Sequence, residues 1–209
     1  MLDNVLVYCQ SAIKISSNKN IYFDPYLIKE KTSDADVIFI THEHYDHFDL
    51  ESINNIKKDD TIIVVPNSMI NKVSSLFEHN EILGVDPDKE YNIYDFKFKT
   101  IRAYNNQKQF HPKDNNWVGY LLYLDNLSYY IMGDTDDTID ARDVKCDILF
   151  VPIGGTYTMN GVEGAHLSNT IKPKCVIPIH YKTIVGSEKE LNDFLNNLDK
   201  DIENKIYIK

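Results

Sequence analysis

The sequence is short of positive charge, of cysteine and of long apolar runs. Its 22 Lys and Arg residues face 32 Asp and Glu residues, a formal net charge of −10 that repels a phosphate backbone, so we expect no nucleic-acid partner. The cysteines (Cys9, Cys146 and Cys175) are scattered and odd in number, which argues against a disulfide framework. No apolar run is long enough to cross a bilayer, and the opening segment MLDNVLVYCQ carries no basic residue. We therefore expect a soluble, cytoplasmic protein that does not bind membranes.

Linker-like segments are also absent. No Pro/Gly/Ser-rich or low-complexity tract interrupts the 209 residues, and the seven prolines and eight glycines lie singly or at turns. A chain of this length with 43% hydrophobic residues can bury one well-formed core but not two ordinary ones. We therefore predict a single domain over residues 1–209.

Short β-rich runs dominate the chain, and helical periodicity is rare. The strand pattern is found at residues 2–8, 21–24, 36–40, 61–65, 95–102, 117–124, 128–132, 147–152, 175–179 and 205–208. Apolar residues recur at helical spacing over 67–78 and over 188–198, where Ser187 and Glu190 form a capping box. Each of these two helices can cover one face of a sheet.

One strand arrangement occurs twice. The apolar strand IYFDP at 21–25 ends in an acidic residue and is followed by the buried run DVIFITH at 36–42; YYIMGD at 129–134 and DILFVPI at 147–153 repeat this order at nearly the same offset. A duplicated unit predicts two similar sheets with helices outside them, which is a four-layer αββα sandwich. Short repeats are weak signals, so two unrelated strand pairs in a β-rich protein remain the alternative.

The clearest functional signal is the run Thr41-His42-Glu43-His44-Tyr45-Asp46-His47, directly after the apolar strand VIFI. Residues 42, 44 and 46 alternate along an extended chain and project to one side, and a turn can bring His47 to the same place. Imidazoles gain little from packing together and repel one another when protonated, whereas a cation that they coordinate explains the cluster. The alternative is a solvated polar loop in which the histidines fell together by chance.

Three further ligand-type residues lie beside predicted strands. His111 precedes the strand WVGYLLYL, Asp134 ends SYYIMG, and His180 ends CVIPI. Functional sites of α/β proteins are usually built at strand ends. Taken singly, the two histidines are as readily ordinary core or surface residues, and Asp134 is as readily a turn former. We interpret His79 and His166, which lack this placement, as surface residues.

The complete pattern resembles the metallo-β-lactamase superfamily, over nearly the whole chain. The signature His-x-His-x-Asp-His, a later His, a Gly-Asp-Thr-type Asp and a final strand-end His stand here as His42, His44, Asp46, His47, His111, Asp134 and His180. Within the superfamily, the sequence is most similar to small, insert-free hydrolases that include an ascorbate-phosphate lactonase. That similarity is carried by Asp24-Pro25, Gly154-Gly155, Met159 and Pro178-Ile179-His180-Tyr181.

The resemblance implies a fold and a ligand assignment. The fold is an αββα sandwich of two mixed β-sheets flanked by helices, with the site at one edge between the sheets. One metal is held by His42, His44 and His111, the other by Asp46, His47 and His180, and Asp134 bridges the two. One feature departs from the pattern: many relatives carry a Gly-His pair after the first strand, where this chain has Tyr8-Cys9-Gln10-Ser11. The residues that surround the ligands at this segment are therefore expected to differ from those of such relatives.

Five imidazoles and two carboxylates without a thiolate favour zinc, while manganese, iron and nickel stay open. Two such ions would lower the pKa of a shared water toward neutrality and supply a bridging hydroxide that attacks a carbonyl or phosphoryl centre. Asp46 can orient that hydroxide and later carry a proton to the leaving group. We therefore predict a metal-dependent hydrolase that acts on a small or medium-sized substrate with two divalent ions, for which Zn²⁺ is the preferred metal.

Substrate contacts are expected from the loops over 103–116 and 154–163 and from the residue after His180. We predict them at Tyr104, Lys108, Tyr157, Met159 and Tyr181. A loop lysine such as Lys108 is more often only solvated. Two other functions stay open: an iron-dependent redox enzyme on the same scaffold, and a metal-binding or regulatory protein without turnover.

Overall fold

Two β-sheets organise the chain, one in each of two units. The computed structural model describes residues 2–208; the first unit ends at Asp86 and the second begins at Pro87. Within residues 2–208, the first sheet has six strands and the second has seven, and both sheets mix parallel with antiparallel pairs. Two mixed sheets with flanking helices confirm the predicted fold class. The single domain over residues 1–209 stays a prediction.

In the first unit, the strands follow one another across the sheet in chain order. They are β1 (Val5–Val7), β2 (Ile13–Ser16), β3 (Asn20–Phe23), β4 (Ala35–Phe39), β5 (Lys57–Pro66) and β6 (Glu81–Val85). Pairing is antiparallel from β1 to β3 and parallel from β3 to β6. Helices α1 (Leu50–Ile56) and α2 (Ile70–Leu76) cover the sheet, since Ile53 of α1 and Val73 of α2 are buried in one apolar cluster with Ile38 of β4.

In the second unit, the strands run across the sheet in the order β13-β12-β11-β10-β9-β8-β7. They are β7 (Glu90–Ile93), β8 (Phe96–Arg102), β9 (Val118–Leu124), β10 (Leu127–Ile131), β11 (Ile148–Pro152), β12 (Cys175–Ile179) and β13 (Glu203–Asn204). Its helices are α3 (Ile139–Arg142), α4 (Gly161–Ile171) and α5 (Glu188–Asn197). Helix α4 packs against both β11 and α5, and the predicted capping box of Ser187 and Glu190 starts α5.

The duplicated arrangement seen in the sequence has the same pairing in both units. β3 pairs in parallel with β4, with Phe23 opposite Phe39, and β10 pairs in parallel with β11, with Ile131 opposite Phe150. The acidic residue of each repeat therefore follows the carboxyl end of a strand that has a parallel neighbour. Asp24 and Asp134 therefore lie in loops at strand ends, as do the predicted ligands of their own unit.

Several short elements were not predicted, and one prediction was wrong. The sequence analysis missed β2, β6, β7, β13, α1 and α3, and the helix over 67–78 is divided into a 3₁₀ turn at Asn67–Met69 followed by α2. The strand predicted over 205–208 is absent from the described chain, where the last strand is Glu203–Asn204. The Lys205 backbone N–H still donates to the Val176 carbonyl of β12 at 3.1 Å, and farther along the chain the Ile208 carbonyl accepts a hydrogen bond from a side chain, the Tyr181 hydroxyl, at 2.8 Å.

Candidate metal centre

The predicted ligands divide between the two units. Among residues 2–208, the His and Asp side chains that could hold a metal ion are those predicted from the sequence: His42, His44, Asp46 and His47 in the first unit, and His111, Asp134 and His180 in the second. Their assignment as ligands stays a prediction. The geometry within each unit shows what these side chains can do.

A tight turn shapes the ligand run of the first unit. The backbone N–H groups of His47 and Phe48 both donate to the carbonyl oxygen of His44, at 3.0 and 2.9 Å. The turn leaves His47 Nε2 at 3.5 Å from Asp46 Oδ2, and His42 Nε2 lies 3.0 Å from His44 Nδ1. The turn expected from the sequence is present, and the donor atoms converge in pairs.

Asp24 orients two of these imidazoles. Its Oδ2 lies 2.8 Å from His47 Nδ1 and accepts the Thr41 hydroxyl at 2.7 Å, while its Oδ1 accepts the Thr41 backbone N–H at 2.8 Å. A carboxylate only accepts, so His47 Nδ1 carries the proton and Nε2 is left with its lone pair. Because the Thr41 proton goes to Asp24, the Thr41 oxygen accepts from His42 Nδ1 at 3.0 Å, which leaves the lone pair on His42 Nε2.

Burial of Asp24 has an electrostatic cost. The carboxyl is fully buried, which raises its pKa, and the neighbouring His47 and the Thr41 hydrogen bonds act in the opposite direction. A buried carboxylate is tolerated only where charged or donor groups compensate its lost hydration. Asp24 therefore depends on His47 and Thr41 as much as they depend on it for orientation.

In the second unit, Asp134 lies between two imidazoles. His180 Nε2 is 3.1 Å and His111 Nε2 is 3.4 Å from Asp134 Oδ2, and all three residues are buried. Asp134 comes after β10, and His180 directly follows β12 with a positive φ of 59° that turns the chain at the strand end. Gly154 lies against His180, because a Cβ at Gly154 would stand 2.5 Å from the His180 carbonyl oxygen.

The spacing of the donor atoms suits a small divalent ion. Metal bonds of about 2.0–2.2 Å in a tetrahedral arrangement place ligand atoms roughly 3.3 Å apart. The two donor pairs in each unit, at 3.0 and 3.5 Å in the first and 3.1 and 3.4 Å in the second, lie close to that spacing. Zinc takes imidazole and carboxylate donors, as do manganese, iron and nickel. The residues present therefore fit metal ions.

Gln10 lies in the segment Tyr8-Cys9-Gln10-Ser11, which follows β1. Its side chain is fully buried, its backbone has a positive φ of 51°, and its Nε2 donates to Asp46 Oδ2 at 3.1 Å. The Gln10 amide therefore orients the carboxylate of Asp46, a predicted ligand, without being a ligand itself. The sequence analysis assigned no role to Gln10 or to Asp24, since contacts this distant along the chain leave no local pattern.

Two predicted substrate contacts, Tyr104 and Lys108, are engaged within the second unit. The Tyr104 hydroxyl donates to the Asp140 carboxylate at 2.8 Å. The Lys108 ammonium pairs with Asp136 at 3.0 Å and donates to the carbonyl oxygen of Thr158. These bonds hold the loops that carry the two side chains. Their roles toward a substrate stay predictions.

The other three predicted contacts differ in accessibility. Met159 and Tyr181 are fully buried, and burial raises the pKa of the Tyr181 hydroxyl, which donates to the Ile208 carbonyl at 2.8 Å, to about 12. Tyr157 is half-buried, and its ring meets the ring of Phe110 edge to face with centroids 4.7 Å apart. Of these three, Tyr157 has the most accessible side chain in this structure.

The histidines interpreted as surface residues, and the cysteines, lie outside the predicted ligand set. His79 and His166 are exposed, and the three cysteines form no disulfide among the described residues. Burial raises the pKa of Cys146 to about 12 and that of Cys175 to about 11, so both thiols stay protonated at neutral pH. Along residues 2–208, none of the helices has the length and apolar character needed to span a membrane.

Comparisons with known proteins identify the family. The model of the β-lactamase superfamily domain matches residues 10–180. A metal-dependent hydrolase of Lysinibacillus sphaericus is 29% identical over 196 residues, which cover 86% of each chain. The crystal structure of a protein described as a metal-dependent hydrolase from Parabacteroides distasonis matches with a TM-score of 0.80 and 27% identity, over 98% of this chain and 93% of that one.

A more distant structure shows the breadth of chemistry on this fold. CmlA, a diiron β-hydroxylase from Streptomyces venezuelae, matches with a TM-score of 0.67 and 12% identity, over 94% of this chain and 47% of that one. At this identity the match shows the fold alone. The family model, by contrast, covers more than half of the chain and confirms the resemblance seen in the sequence. The chain therefore belongs to the β-lactamase superfamily, among its metal-dependent hydrolases.

Proposed function

We propose that this protein hydrolyses a small or medium-sized substrate at a carbonyl or phosphoryl centre. The predicted ligands are proposed to hold two divalent ions, with Zn²⁺ as the preferred metal. When bound, the ions would lower the pKa of a water that they share and stabilise negative charge that develops on the substrate. The ligands are His42, His44, Asp46, His47, His111, Asp134 and His180. Family membership supports this ligand set.

The observation that carries the proposal is the arrangement around Asp134. Its buried carboxylate has the Nε2 atoms of His111 and His180 at 3.4 and 3.1 Å, a spacing typical of ligands that share an ion. A buried carboxylate between two imidazoles gains little from a purely structural role, since each group must be removed from water. Binding of a cation offsets that cost.

The chain's own residues divide the remaining work. Asp46 is proposed to orient the attacking water and to carry a proton to the leaving group, because a carboxylate within hydrogen-bond reach can do both. Gln10 keeps Oδ2 of Asp46 in one direction through its bond at 3.1 Å. Asp24 keeps His47 in the tautomer whose Nε2 can coordinate.

The experiment compares metal-free, zinc-loaded and manganese-loaded protein on a panel of esters, lactones, thioesters and phosphodiesters. We expect turnover that is lost on chelation and restored by metal in the wild type, lost in His180→Ala, and retained in His79→Ala, whose imidazole is exposed. Full metal loading without turnover on the panel would favour the non-catalytic function. Bound iron with oxygen uptake would favour a redox enzyme on the same scaffold.

We also propose that the substrate is not a nucleic acid. The net charge is −10, and Lys57 and Lys58 form an adjacent basic pair that Asp59 and Asp60 follow directly. The Lys58 ammonium is moreover paired with Asp36 at 2.7 Å, which reduces what it can offer a phosphate. Anisotropy titrations with single-stranded and duplex DNA and RNA at low salt should show no binding at micromolar protein. Salt-sensitive micromolar binding or metal-dependent strand cleavage would contradict the proposal.

A further inference from the structure

Asn105 is a buried asparagine whose side chain is used at both ends. Its Oδ1 accepts the backbone N–H of His111 at 3.1 Å, and its Nδ2 donates to the backbone carbonyl of Tyr157 at 2.9 Å. A backbone N–H can only donate and a carbonyl can only accept. These two bonds therefore fix which end of the amide is oxygen, and the orientation is determined by backbone groups alone.

The fixed amide determines the tautomer of His111. The same Oδ1 lies 2.9 Å from His111 Nδ1, and an amide oxygen can only accept, so Nδ1 must carry the proton. In the neutral imidazole, the form that can bind a metal, Nε2 then holds the lone pair, and it is this nitrogen that lies 3.4 Å from Asp134 Oδ2. The ring of Trp117 meets the imidazole at a steep angle, with centroids 5.6 Å apart, and limits its rotation. Orientation and tautomer of His111 are thus set before any ion binds.

Asn105 also joins His111 to a second loop. Besides Tyr157, its Nδ2 donates to Asp136 Oδ1 at 3.1 Å, and the same carboxylate oxygen pairs with the Lys108 ammonium at 3.0 Å. Lys108 in turn donates to the Thr158 carbonyl. The backbone at 157–158 is therefore held at two points by a network that centres on Asn105 and Asp136. In this network Lys108 links its own loop to Asp136 and to the backbone of Thr158.

We propose that Asn105 is a positioning residue of the candidate metal centre. Its amide oxygen holds His111 in the Nδ1–H tautomer and in the ring orientation that leaves Nε2 to coordinate, and its amide nitrogen ties that imidazole to the Tyr157 loop. The inference rests on the proposed function, because it takes His111 as a metal ligand. Partners of this kind typically change metal affinity about 10- to 100-fold when removed.

The test compares Asn105→Ala, Asn105→Asp and the matched control Asn106→Ala. Asn106 is the neighbouring asparagine, and its side chain donates to the Asp137 carbonyl and not to His111. Asn105→Asp keeps an acceptor for His111 Nδ1 but replaces the donor to Tyr157 and Asp136 with an oxygen. It therefore separates the tautomer of His111 from the loop contacts, and it serves as a second variant if the alanine protein fails to fold. The tautomer is read in metal-free protein from the imidazole ¹⁵N shifts. Metal binding is read from zinc competition with a chelator, from the visible spectrum of the cobalt protein, and from fluorescence of Trp117, the only tryptophan.

We expect the wild type and Asn106→Ala to show His111 as the Nδ1–H tautomer, with equal zinc affinity. Asn105→Ala should show mixed tautomers, a 10- to 100-fold loss of affinity and an altered cobalt spectrum, whereas Asn105→Asp should keep the Nδ1–H tautomer. Unchanged tautomer, affinity and cobalt spectrum in both Asn105 variants would overturn the inference, even in an active hydrolase. The expected changes in a protein that loads metal but hydrolyses nothing would support the inference and count against the proposed function.

Discussion

Gly154→Ala should damage the candidate metal centre without any change to a ligand. An alanine Cβ at this position would stand 2.5 Å from the carbonyl oxygen of His180, 2.7 Å from Val185 Cγ2 and 3.1 Å from His180 Nδ1. Opening the first contact from 2.5 Å to the 3.4 Å of ordinary van der Waals contact requires a movement of about 0.9 Å. The obstacle is backbone, which cannot rotate away as a side chain can.

The size of that movement decides the expected effect. Metal sites tolerate ligand displacements of about 0.2 Å. A shift several times larger at His180 should therefore weaken zinc binding by roughly 10- to 100-fold. The overpacking should also lower the free energy of unfolding of the metal-free protein by roughly 1–3 kcal/mol. Both quantities are accessible from one protein preparation, by chelator competition and by denaturant titration.

Gly164→Ala is the matched control in the same unit. A Cβ there would meet Ile153 Cγ2 at 2.7 Å, so a shift is required here too, but the obstacle is a side chain and not the backbone of a predicted ligand. The helix α4 gains up to about 1 kcal/mol from replacing glycine with alanine, which offsets part of that cost. We expect zinc affinity close to that of the wild type. Wild-type zinc affinity in a folded Gly154→Ala protein, or an equal loss in both variants, would refute the reasoning.

Two further predictions concern carboxylates. Asp46→Asn should lose most turnover and keep the melting temperature of the metal-free protein within a few degrees, because it removes a charge and a proton acceptor with little change in volume; unfolding, or undiminished turnover, would count against the assigned role. Burial raises the pKa of Asp34, but hydrogen bonds from Lys14, Thr32 and Tyr22 outweigh that effect, so the pKa of the folded protein lies below the ordinary value. The stabilisation that Asp34 contributes is therefore present above about pH 4 and is lost as the pH falls through the folded pKa. The stability difference between wild type and Asp34→Asn, by denaturant titration, should therefore be largest near neutral pH and shrink in acid, and a difference that grows in acid would contradict this assignment.

The local patterns of the sequence carried most of the fold and the proposed ligands. The run from His42 to His47 could be interpreted because alternation along an extended chain and one turn are short-range properties. The duplicated strand pairs were visible for the same reason. Short elements such as β2 and α1 were not predicted, because two or three apolar residues do not distinguish a strand from a helix.

The surroundings of the ligands could not be predicted, because they depend on contacts between distant residues. Gln10 meets Asp46, and Asp24 meets His47, across separations of 36 and 23 residues. The surroundings of Tyr181 likewise could not be predicted from its place beside His180. Its buried hydroxyl donates to the Ile208 carbonyl at 2.8 Å, a contact across 27 residues of the chain.

The most direct test of the proposed function is the metal content of the protein after reconstitution. Elemental analysis of the zinc-loaded wild type and of His180→Ala would be paired with circular dichroism to confirm that both are folded. The account predicts two divalent ions per chain in the wild type and fewer in the variant. A stoichiometry that saturates at one ion, with no change in His180→Ala, would contradict the two-metal centre.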